Sequence, residues 1–250
     1  MKVLMGVLSC FDQTYQMIKN EGILKTWGSK SYSDVEIVFY YGKPGIDSYQ
    51  EGGDVFVDAN DNYTGIFKKT IVFFEYILKH KQFDFLFRPN ISAYIDVELY
   101  KEYLKDKAPI NFASGNCILK WHAEQEENKK YYLTGCGFTF SRDVVERVVK
   151  YCKDNPEYYN NPGLPGNEDD VIISKILHSL NVPLIEAVNN NNYSHRYDIC
   201  DSRYGVSSDS ISNLQSTYLI RCKAWMSPTR DDQVIMNNIF KAKKEAGFLT

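Results

Sequence analysis

The strongest constraint in this sequence is the regular alternation of short apolar segments with longer amphipathic segments in its first half. The apolar segments stop at Gly, Pro or polar residues, as expected of buried strands, and the longer segments show helical spacing of apolar residues. The predicted strands are residues 3–10, 35–42, 54–58 and 83–89, and the predicted helices are residues 14–26 and 66–79. Strands separated by helices predict an α/β protein with a parallel, Rossmann-like sheet.

The second half is less regular but contains the same kinds of segment. The predicted elements are strands at 111–121, 131–141 and 217–224, and helices at 142–153, from near residue 168, and at 231–246. The polar residues 189–213 predict a long loop or lid. We therefore predict a mostly parallel central sheet flanked by helices, with a smaller mixed sheet in the C-terminal half.

Charge, cysteine usage and missing motifs exclude several classes of protein. The formal net charge of −3 argues against nucleic-acid binding, which normally needs a basic surface. The sequences GxGxxG after the first strand, GxxxxGK[ST] and GxSxG are absent, so dehydrogenases, P-loop NTPases and α/β-hydrolases lose their main support. The six cysteines are scattered without a CxxC pair, and no apolar run approaches the roughly 20 residues of a membrane span. We expect reduced thiols, a cytoplasmic location and no membrane span.

Polar residues follow the carboxyl ends of the four predicted strands, where ligands bind in open α/β sheets. These strand-end segments are residues 9–11, 41–43, 58–62 and 88–92. They supply hydroxyls, amides, an aromatic ring and a cation, a combination that suits a nucleoside diphosphate, although polar loops end any sheet of this kind. Aromatic residues make up 14% of the chain and suit sugar binding, with core packing as the simpler explanation.

Six segments follow one another in an informative order. They are ILKTWG at 23–28, VEIVFYYG at 35–42, DVFVDANDNYTGIFKKT at 54–70, FLFRPNISAYI at 85–95, YYLTGCGFTFSRDVV at 131–145 and NEDDVIISKIL at 167–177. This order resembles glycosyltransferase family 31, the β-1,3-galactosyl, N-acetylglucosaminyl and fringe-type enzymes, and their shorter soluble relatives in large viruses and microbes. The resemblance implies a single GT-A domain over residues 1–250, with a nucleotide-binding half (1–110) and an acceptor-binding half (111–250). It also implies a nucleotide-sugar donor, such as a UDP-sugar, and an oligosaccharide or glycoprotein glycan as acceptor.

The chain departs from this family at the metal-binding motif. Where the family carries three aspartates that hold a divalent cation (Mn²⁺ or Mg²⁺), this chain reads Asn90-Ile91-Ser92. Neutral amide and hydroxyl oxygens are poorer ligands for a hard cation than carboxylates, so we expect either weak metal binding or replacement by positive side chains. Candidates for that replacement are Arg88, Arg221, Lys223 and Arg230, with ordinary surface charges as the alternative. His195 is either a metal ligand or a plain loop residue.

The acidic run Glu168-Asp169-Asp170 opens the helix that follows a Pro- and Gly-containing loop. The helix dipole stabilises acidic residues at this position by about 0.3–1 kcal/mol each, which alone could account for the run. The resemblance instead implies that Asp170, the residue before Val171, is the general base that deprotonates the acceptor hydroxyl in an inverting transfer. Asp169 is the second choice, and Glu168 is expected to cap the helix.

The remaining site predictions concern the two substrates. We predict donor contacts from Ser9, Asp58, Lys69, Arg88, Asn90 and Ser92 together with the basic residues named above, and acceptor contacts from Gly135, Gly137 and Trp225. Simpler explanations stay open for several of these residues. Asp58 can be a turn residue, the two glycines can mark a bulge, and Trp27 can be a core anchor instead of a donor contact.

Two other classes of function stay open. A nucleotidyltransferase would need a carboxylate pair for two-metal chemistry and usually a basic Gly-rich loop after the first strand, and neither is visible near residues 9–16. Loss of the acidic triplet fits a non-catalytic protein that binds glycans or nucleotide-sugars and derives from a transferase. Retention of Asp169 and Asp170 favours the enzyme.

Overall fold

The computed structural model of the protein describes residues 1–119, 131–160, 169–187, 197–198, 215–222 and 230–249. The chain separates into two compact units. Unit 1 comprises Met1–Phe11, Ser33–Pro89 and Ala108–Glu186, and unit 2 comprises Asp12–Tyr32, Asn90–Lys107 and Ala187–Thr250. The predicted nucleotide-binding and acceptor-binding halves stay predictions, because this division reflects packing and not ligand binding.

Unit 1 is built on one large sheet. Its described strands are β1 (Val3–Leu8), β2 (Val35–Gly42), β3 (Tyr49–Glu51), β4 (Asp54–Val57), β5 (Phe85–Pro89), β7 (Ala113–Leu119), β8 (Tyr131–Ser141) and β9 (Leu184–Glu186). Their order is β3-β4-β2-β1-β5-β8-β7-β9. The pairs β4–β2, β2–β1, β1–β5 and β7–β9 are parallel, whereas β3–β4, β5–β8 and β8–β7 are antiparallel. This arrangement confirms the predicted mostly parallel central sheet.

Helices cover this sheet because its central strands are apolar on both faces. Every residue of β1 is buried. The helices of unit 1 are α2 (Ile66–His80), α4 (Arg142–Asp154), α5 (Glu157–Asn160) and α6 (Asp169–Ser179), and α2 packs against both α4 and α6. The predicted helices at 66–79 and 142–153 are therefore confirmed to within one residue at their ends.

Unit 2 combines helices with a small mixed sheet. Its helices are α1 (Gln13–Met17), which continues as a π-helical and a 3₁₀ turn to Lys25, α3 (Val97–Leu104) and α7 (Asp232–Glu245). Its strands are β6 (Ala93–Ile95), β10 (Tyr197–Asp198) and β11 (Leu219–Arg221), in the order β10-β11-β6. The smaller mixed sheet was predicted for the C-terminal half alone. That detail is wrong, since β6 comes from the first half and pairs antiparallel with β11.

Two further sequence expectations can be compared with the described residues. Within those residues, no helix is both long and apolar enough to cross a membrane. Among the described side chains, Cys10, Cys136, Cys152 and Cys222 are free thiols; Cys10 is half-buried and the other three are buried. Burial raises the pKa of the Cys152 thiol to about 12, so this side chain behaves as a small apolar group.

Gly6 sets how closely helix α2 approaches strand β1. A Cβ atom on Gly6 would lie 2.4 Å from the ring of Phe73, which belongs to α2. That ring is fully buried and stacks on Tyr40 of β2 with a centroid distance of 4.1 Å. A larger residue at position 6 would therefore push the helix away from the sheet.

We predict that Gly6→Ala lowers the free energy of unfolding by about 1–3 kcal/mol, the usual cost of overpacking a core. The additional change Phe73→Leu should recover part of the loss, because it removes the ring atoms that the new methyl group meets. Urea unfolding of the single and double variants measures both effects. An unchanged midpoint for Gly6→Ala would contradict the close approach.

Candidate active site

Asp61 joins the carboxyl ends of strands β1 and β2 to helix α2. Its Oδ2 accepts a hydrogen bond from the backbone N–H of Phe11 at 2.7 Å, and its Oδ1 accepts from the N–H of Gly42 at 2.8 Å. Lys69 of α2 donates to the same Oδ1 at 2.8 Å and to the carbonyl oxygen of Ser9 at 2.7 Å. Lys69 is only 2% exposed, so its ammonium group stabilises the strand ends from within the protein. This placement does not favour the predicted donor contact of Lys69.

An exposed aromatic ring lies at the same strand ends. Phe11 is 52% exposed and stacks on Tyr41 and Phe56, with centroid distances of 4.8 and 5.7 Å. The neighbouring Ser9 side chain is buried, and its hydroxyl has no hydrogen-bond partner in the described part of the chain. Phe11 was predicted only as the last residue of the strand-end segment 9–11 and not as a donor contact in its own right. Its position directly after a buried strand was the available signal.

Asp58, a predicted donor contact, and Trp27, for which a core anchor was set beside a donor contact, both have structural roles. The Oδ1 of Asp58 accepts a hydrogen bond from the backbone N–H of Gly45 at 2.7 Å, which makes Asp58 a turn residue. In unit 2, Trp27 is 4% exposed and its indole N–H donates to the carbonyl oxygen of Ala93 at 3.1 Å. Trp27 therefore anchors the core of that unit.

A buried ion pair between Arg88 of β5 and Asp169 of α6 lies inside unit 1. The side chains of Arg88 and Asp169 are 1% and 5% exposed, and Arg88 Nη2 donates to Asp169 Oδ2. The hydroxyl of Thr70 donates to the same carboxylate oxygen at 2.9 Å. Arg88 Nε donates to the Tyr40 hydroxyl at 3.2 Å, and Nη1 donates to the carbonyl oxygen of Gly135 at 2.8 Å. All three nitrogens of the guanidinium group therefore have acceptors within the protein.

The charges of this pair are matched. Burial alone would lower the pKa of Arg88, but Asp169, Tyr40 and Asp170 together outweigh this effect and the pKa is raised, so the guanidinium group stays charged. Burial likewise raises the pKa of Tyr40, which keeps its hydroxyl neutral. The predictions that Arg88 binds the donor diphosphate and that Asp169 is a second-choice base do not agree with this placement. Both side chains are buried, and their hydrogen-bonding groups are occupied by one another and by neighbours.

Asp170, the next residue, is partly exposed and lies against Gly135 of β8. A Cβ atom on Gly135 would be 3.1 Å from Asp170 Oδ2, so glycine at this position makes room for the carboxylate. The backbone N–H of Val171 donates to Asp170 Oδ1 at 2.8 Å. The hydroxyl of Ser174 donates to the Asp170 carbonyl at 2.6 Å and accepts from the Leu133 N–H at 3.0 Å. These bonds attach the first turn of α6 to strand β8.

Arg88 holds both sides of the contact between Asp170 and Gly135. It binds the Gly135 carbonyl through Nη1 and the residue before Asp170 through Nη2. The position of the Asp170 carboxylate therefore depends on a rigid buried group and not on its own rotamer alone. Gly137, the other predicted acceptor contact, lies two residues further along β8 and pairs with Pro89.

The segment that replaces the acidic motif forms a tight turn in unit 2. Asn90 Oδ1 accepts hydrogen bonds from both the backbone N–H and the hydroxyl of Ser92, each at 3.1 Å. The two side chains are neutral, and the amide oxygen is already used twice, so they do not fit a hard divalent cation. The described residues contain no group of three His, Cys, Asp or Glu side chains arranged for a metal ion. His195, the predicted metal ligand, lies outside the described residues.

Of the predicted basic residues, Arg221 lies beside this turn. It belongs to β11 and pairs with Ala93 of β6, and the next residue, Cys222, donates its backbone N–H to the Ser92 carbonyl at 2.8 Å. Arg221 is half-buried. Its backbone therefore has a defined place next to residues 90–92.

Arg230 has a different environment. It forms an ion pair with Asp232 through Nη2 at 2.6 Å and Nε at 3.1 Å, and it donates to the Tyr15 hydroxyl at 3.2 Å. Asp232 is fully buried, so this pair stabilises the start of α7. The remaining predicted residues, Lys223 and Trp225, lie outside the described part of the chain.

No protein-family model and no curated protein matches the sequence. Solved structures do match the fold. A glycosyltransferase involved in the glycosylation of the major capsid of PBCV-1 gives a TM-score of 0.54 at 8% identity, over 95% of this chain and 100% of the other. The galactosyltransferase LgtC, in complex with donor and acceptor sugar analogs, gives 0.49 at 12% identity, over 99% and 96%. A 2-C-methyl-D-erythritol 4-phosphate cytidylyltransferase from Thermus thermophilus gives 0.42 at 13% identity, over 74% and 89%.

The chain has a GT-A fold. This conclusion rests on the first similarity, which has the highest TM-score of the three, together with the observed order of strands. At 8% identity the similarity shows the fold alone. Membership of glycosyltransferase family 31 therefore stays a prediction.

We predict that Asp169→Asn lowers the free energy of unfolding by about 3–5 kcal/mol, because it leaves the charge of Arg88 buried without a counter-charge. The matched control is Asp170→Asn, the same chemical change one residue later at a partly exposed position, which should cost about 1 kcal/mol or less. Urea unfolding of the two variants provides the comparison. Equal free energies of unfolding for the two variants would show that the Arg88–Asp169 ion pair does not stabilise the protein.

Proposed function

We propose that this protein is an inverting glycosyltransferase that moves a sugar from a nucleotide-sugar, such as a UDP-sugar, to a hydroxyl group of a glycan. The observation that carries the proposal is the arrangement of Asp170, a partly exposed carboxylate held against Gly135 beside a buried ion pair. The GT-A fold supports the same class of reaction. Asp170 is the proposed general base.

The proposed reaction is a single displacement at the anomeric carbon of the donor. The oxygen of the acceptor hydroxyl forms the new bond to that carbon, while the bond from the carbon to the diphosphate oxygen breaks. Asp170 takes the proton of the hydroxyl, and the nucleoside diphosphate leaves with the bonding electrons. A base must lie within hydrogen-bond reach of the hydroxyl, and a carboxylate held in one position satisfies this condition at little entropic cost.

The carboxyl ends of β1 and β2 are the proposed contact for the nucleoside. The exposed ring of Phe11 offers an aromatic surface on which a base can stack, and Tyr41 and Phe56 support it from behind. The hydroxyl of Ser9 requires a partner that the described residues do not supply, and a bound ribose would provide one. Ligands of open α/β sheets bind at this edge.

Arg221 is the proposed contact for the diphosphate. It is the predicted basic residue whose strand lies directly beside the neutral turn at residues 90–92. A guanidinium group can bind phosphate oxygens bidentately, which suits a site whose own side chains are an amide and a hydroxyl. The alternative function, a non-catalytic protein that binds glycans or nucleotide-sugars, is favoured by that neutral turn and predicts binding without turnover.

We expect Asp170→Asn to lower the rate of sugar transfer by about 10²–10⁴-fold, the usual contribution of a general base, while UDP binding is retained. The measurement is release of nucleotide from a panel of nucleotide-sugars, with UDP affinity determined by calorimetry. Asp154→Asn, at an exposed carboxylate of α4, is the control for a change of charge and should be fully active. Transfer by Asp170→Asn at the normal rate would reject the base. Absence of turnover in the unmodified protein with every donor would favour the binding protein.

We also expect Arg221→Ala to weaken UDP binding by about 10- to 100-fold, because one charge-assisted contact with the phosphates is lost. The titration should give the same result with EDTA present, since the 90–92 turn does not fit a divalent cation. Lys241→Ala removes an exposed charge from α7 and is the matched control. Unchanged affinity in Arg221→Ala would remove this residue from the donor site, and loss of UDP binding in EDTA would restore a role for a metal.

A further inference from the structure

Unit 2 contains a cavity of about 270 Å³ that none of the proposed catalytic steps uses. Residues from three stretches of this unit line it: the segment after the first helical region, strand β6 with the start of helix α3, and helix α7 with the residues that follow it. The residues that matter for the chemistry are Trp27, Tyr32, Tyr94, Asp96, Glu98 and Lys244. Sites for drug-sized ligands occupy about 300–1,000 Å³, so this volume suits a ligand of a single ring.

Aromatic side chains form much of the wall. Trp27 is 4% exposed and its indole N–H binds the Ala93 carbonyl, so it contributes only a small apolar part of the wall. Phe240 and Phe248 add two more rings. Apolar ring faces of this kind pack against the C–H faces of a sugar.

Two tyrosines in the lining carry hydroxyls that can bond to a ligand. Neither Tyr32 nor Tyr94 makes a side-chain hydrogen bond to any other residue in the described part of the chain, although Tyr94 is 1% exposed. Burial raises the pKa of Tyr32 to about 12, with further contributions from Glu98 and Asp96, so this hydroxyl stays neutral and can both donate and accept.

The charges in the lining balance. Asp96 is paired with the buried Lys243 at 2.6 Å and also accepts from the Leu99 N–H at 3.1 Å. Glu98 is 54% exposed and forms an ion pair with Lys101 at 3.4 Å, and Lys30 and Lys244 also line the cavity. A cavity with both signs of charge selects neither a phosphate nor an amine. It favours a neutral ligand with several hydroxyl groups, because carboxylates accept from hydroxyls and ammonium groups donate to them.

We propose that this cavity is a carbohydrate-binding site that holds one neutral sugar ring, with Tyr32 and Glu98 bonded to its hydroxyls and the half-buried rings of Phe240 and Phe248 packed against its face. The site lies wholly within unit 2 and does not depend on the proposed reaction. It would allow the protein to hold a glycan chain through a residue other than the one that reacts.

Saturation-transfer NMR and calorimetric titration with the methyl glycosides of glucose, galactose, xylose and N-acetylglucosamine test the proposal. At least one glycoside should bind, and it should bind equally well to Asp170→Asn, which separates this site from the proposed catalytic reaction. Glu98→Gln should weaken binding by about tenfold and Tyr32→Phe by about 3- to 10-fold. Glu102→Gln, an equally exposed carboxylate of α3 that does not line the cavity, is the matched control.

Several results would overturn the proposal. One is that no glycoside binds, and another is that Glu98→Gln and Tyr32→Phe bind as tightly as the unmodified protein. Competition by inorganic phosphate or choline for the same NMR signals would assign the cavity to a charged ligand instead. Because Glu98 is exposed, its variant is expected to fold normally, so loss of binding there cannot be attributed to unfolding.

Discussion

Five elements of unit 1 meet at the buried ion pair between Arg88 and Asp169. Arg88 comes from β5 and Asp169 from α6, and their hydrogen-bond partners Tyr40, Thr70 and Gly135 come from β2, α2 and β8. Taking two charges out of water costs several kcal/mol each, and only a nearly complete set of partners offsets that cost. The arrangement therefore selects the one packing of strands and helices that brings all five side chains or backbone groups together.

This constraint gives two adjacent carboxylates different properties. Asp169 is surrounded by donors and is buried, whereas Asp170 is partly exposed against a glycine. The proposed chemistry needs such a difference, since one residue must remain fixed while the next exchanges a proton. The Arg88–Asp169 ion pair therefore stabilises the fold and also fixes the position of the proposed base, Asp170.

Periodicity and residue type predicted much of the large sheet and most of its helices. They failed where an element is short or where its pattern is interrupted. Strand β6 has only three residues, and neither β6 nor helix α3 was among the predicted elements, although the Asp96 side chain caps that helix at the Leu99 N–H. The site was harder to predict, because sequence position beside a motif cannot reveal burial. Arg88 was expected to face the donor, yet its five-donor head group is used inside the protein, and the exposed Phe11 was identified only from the structure.

Unit 2 is assembled from segments that lie far apart in the sequence, and this has a consequence for biosynthesis. In unit 2, the side chain of Asn237 in α7 bonds to the backbone carbonyl of Glu21, a partner 216 residues earlier in the chain. At about 5–20 residues per second, a ribosome needs roughly 10–40 s to reach Asn237 after Glu21 has been made. Throughout that interval the first helical region of the nascent chain lacks its native neighbour. Pairings between such distant residues are slow to form, so this region would be an early client of chaperones during translation.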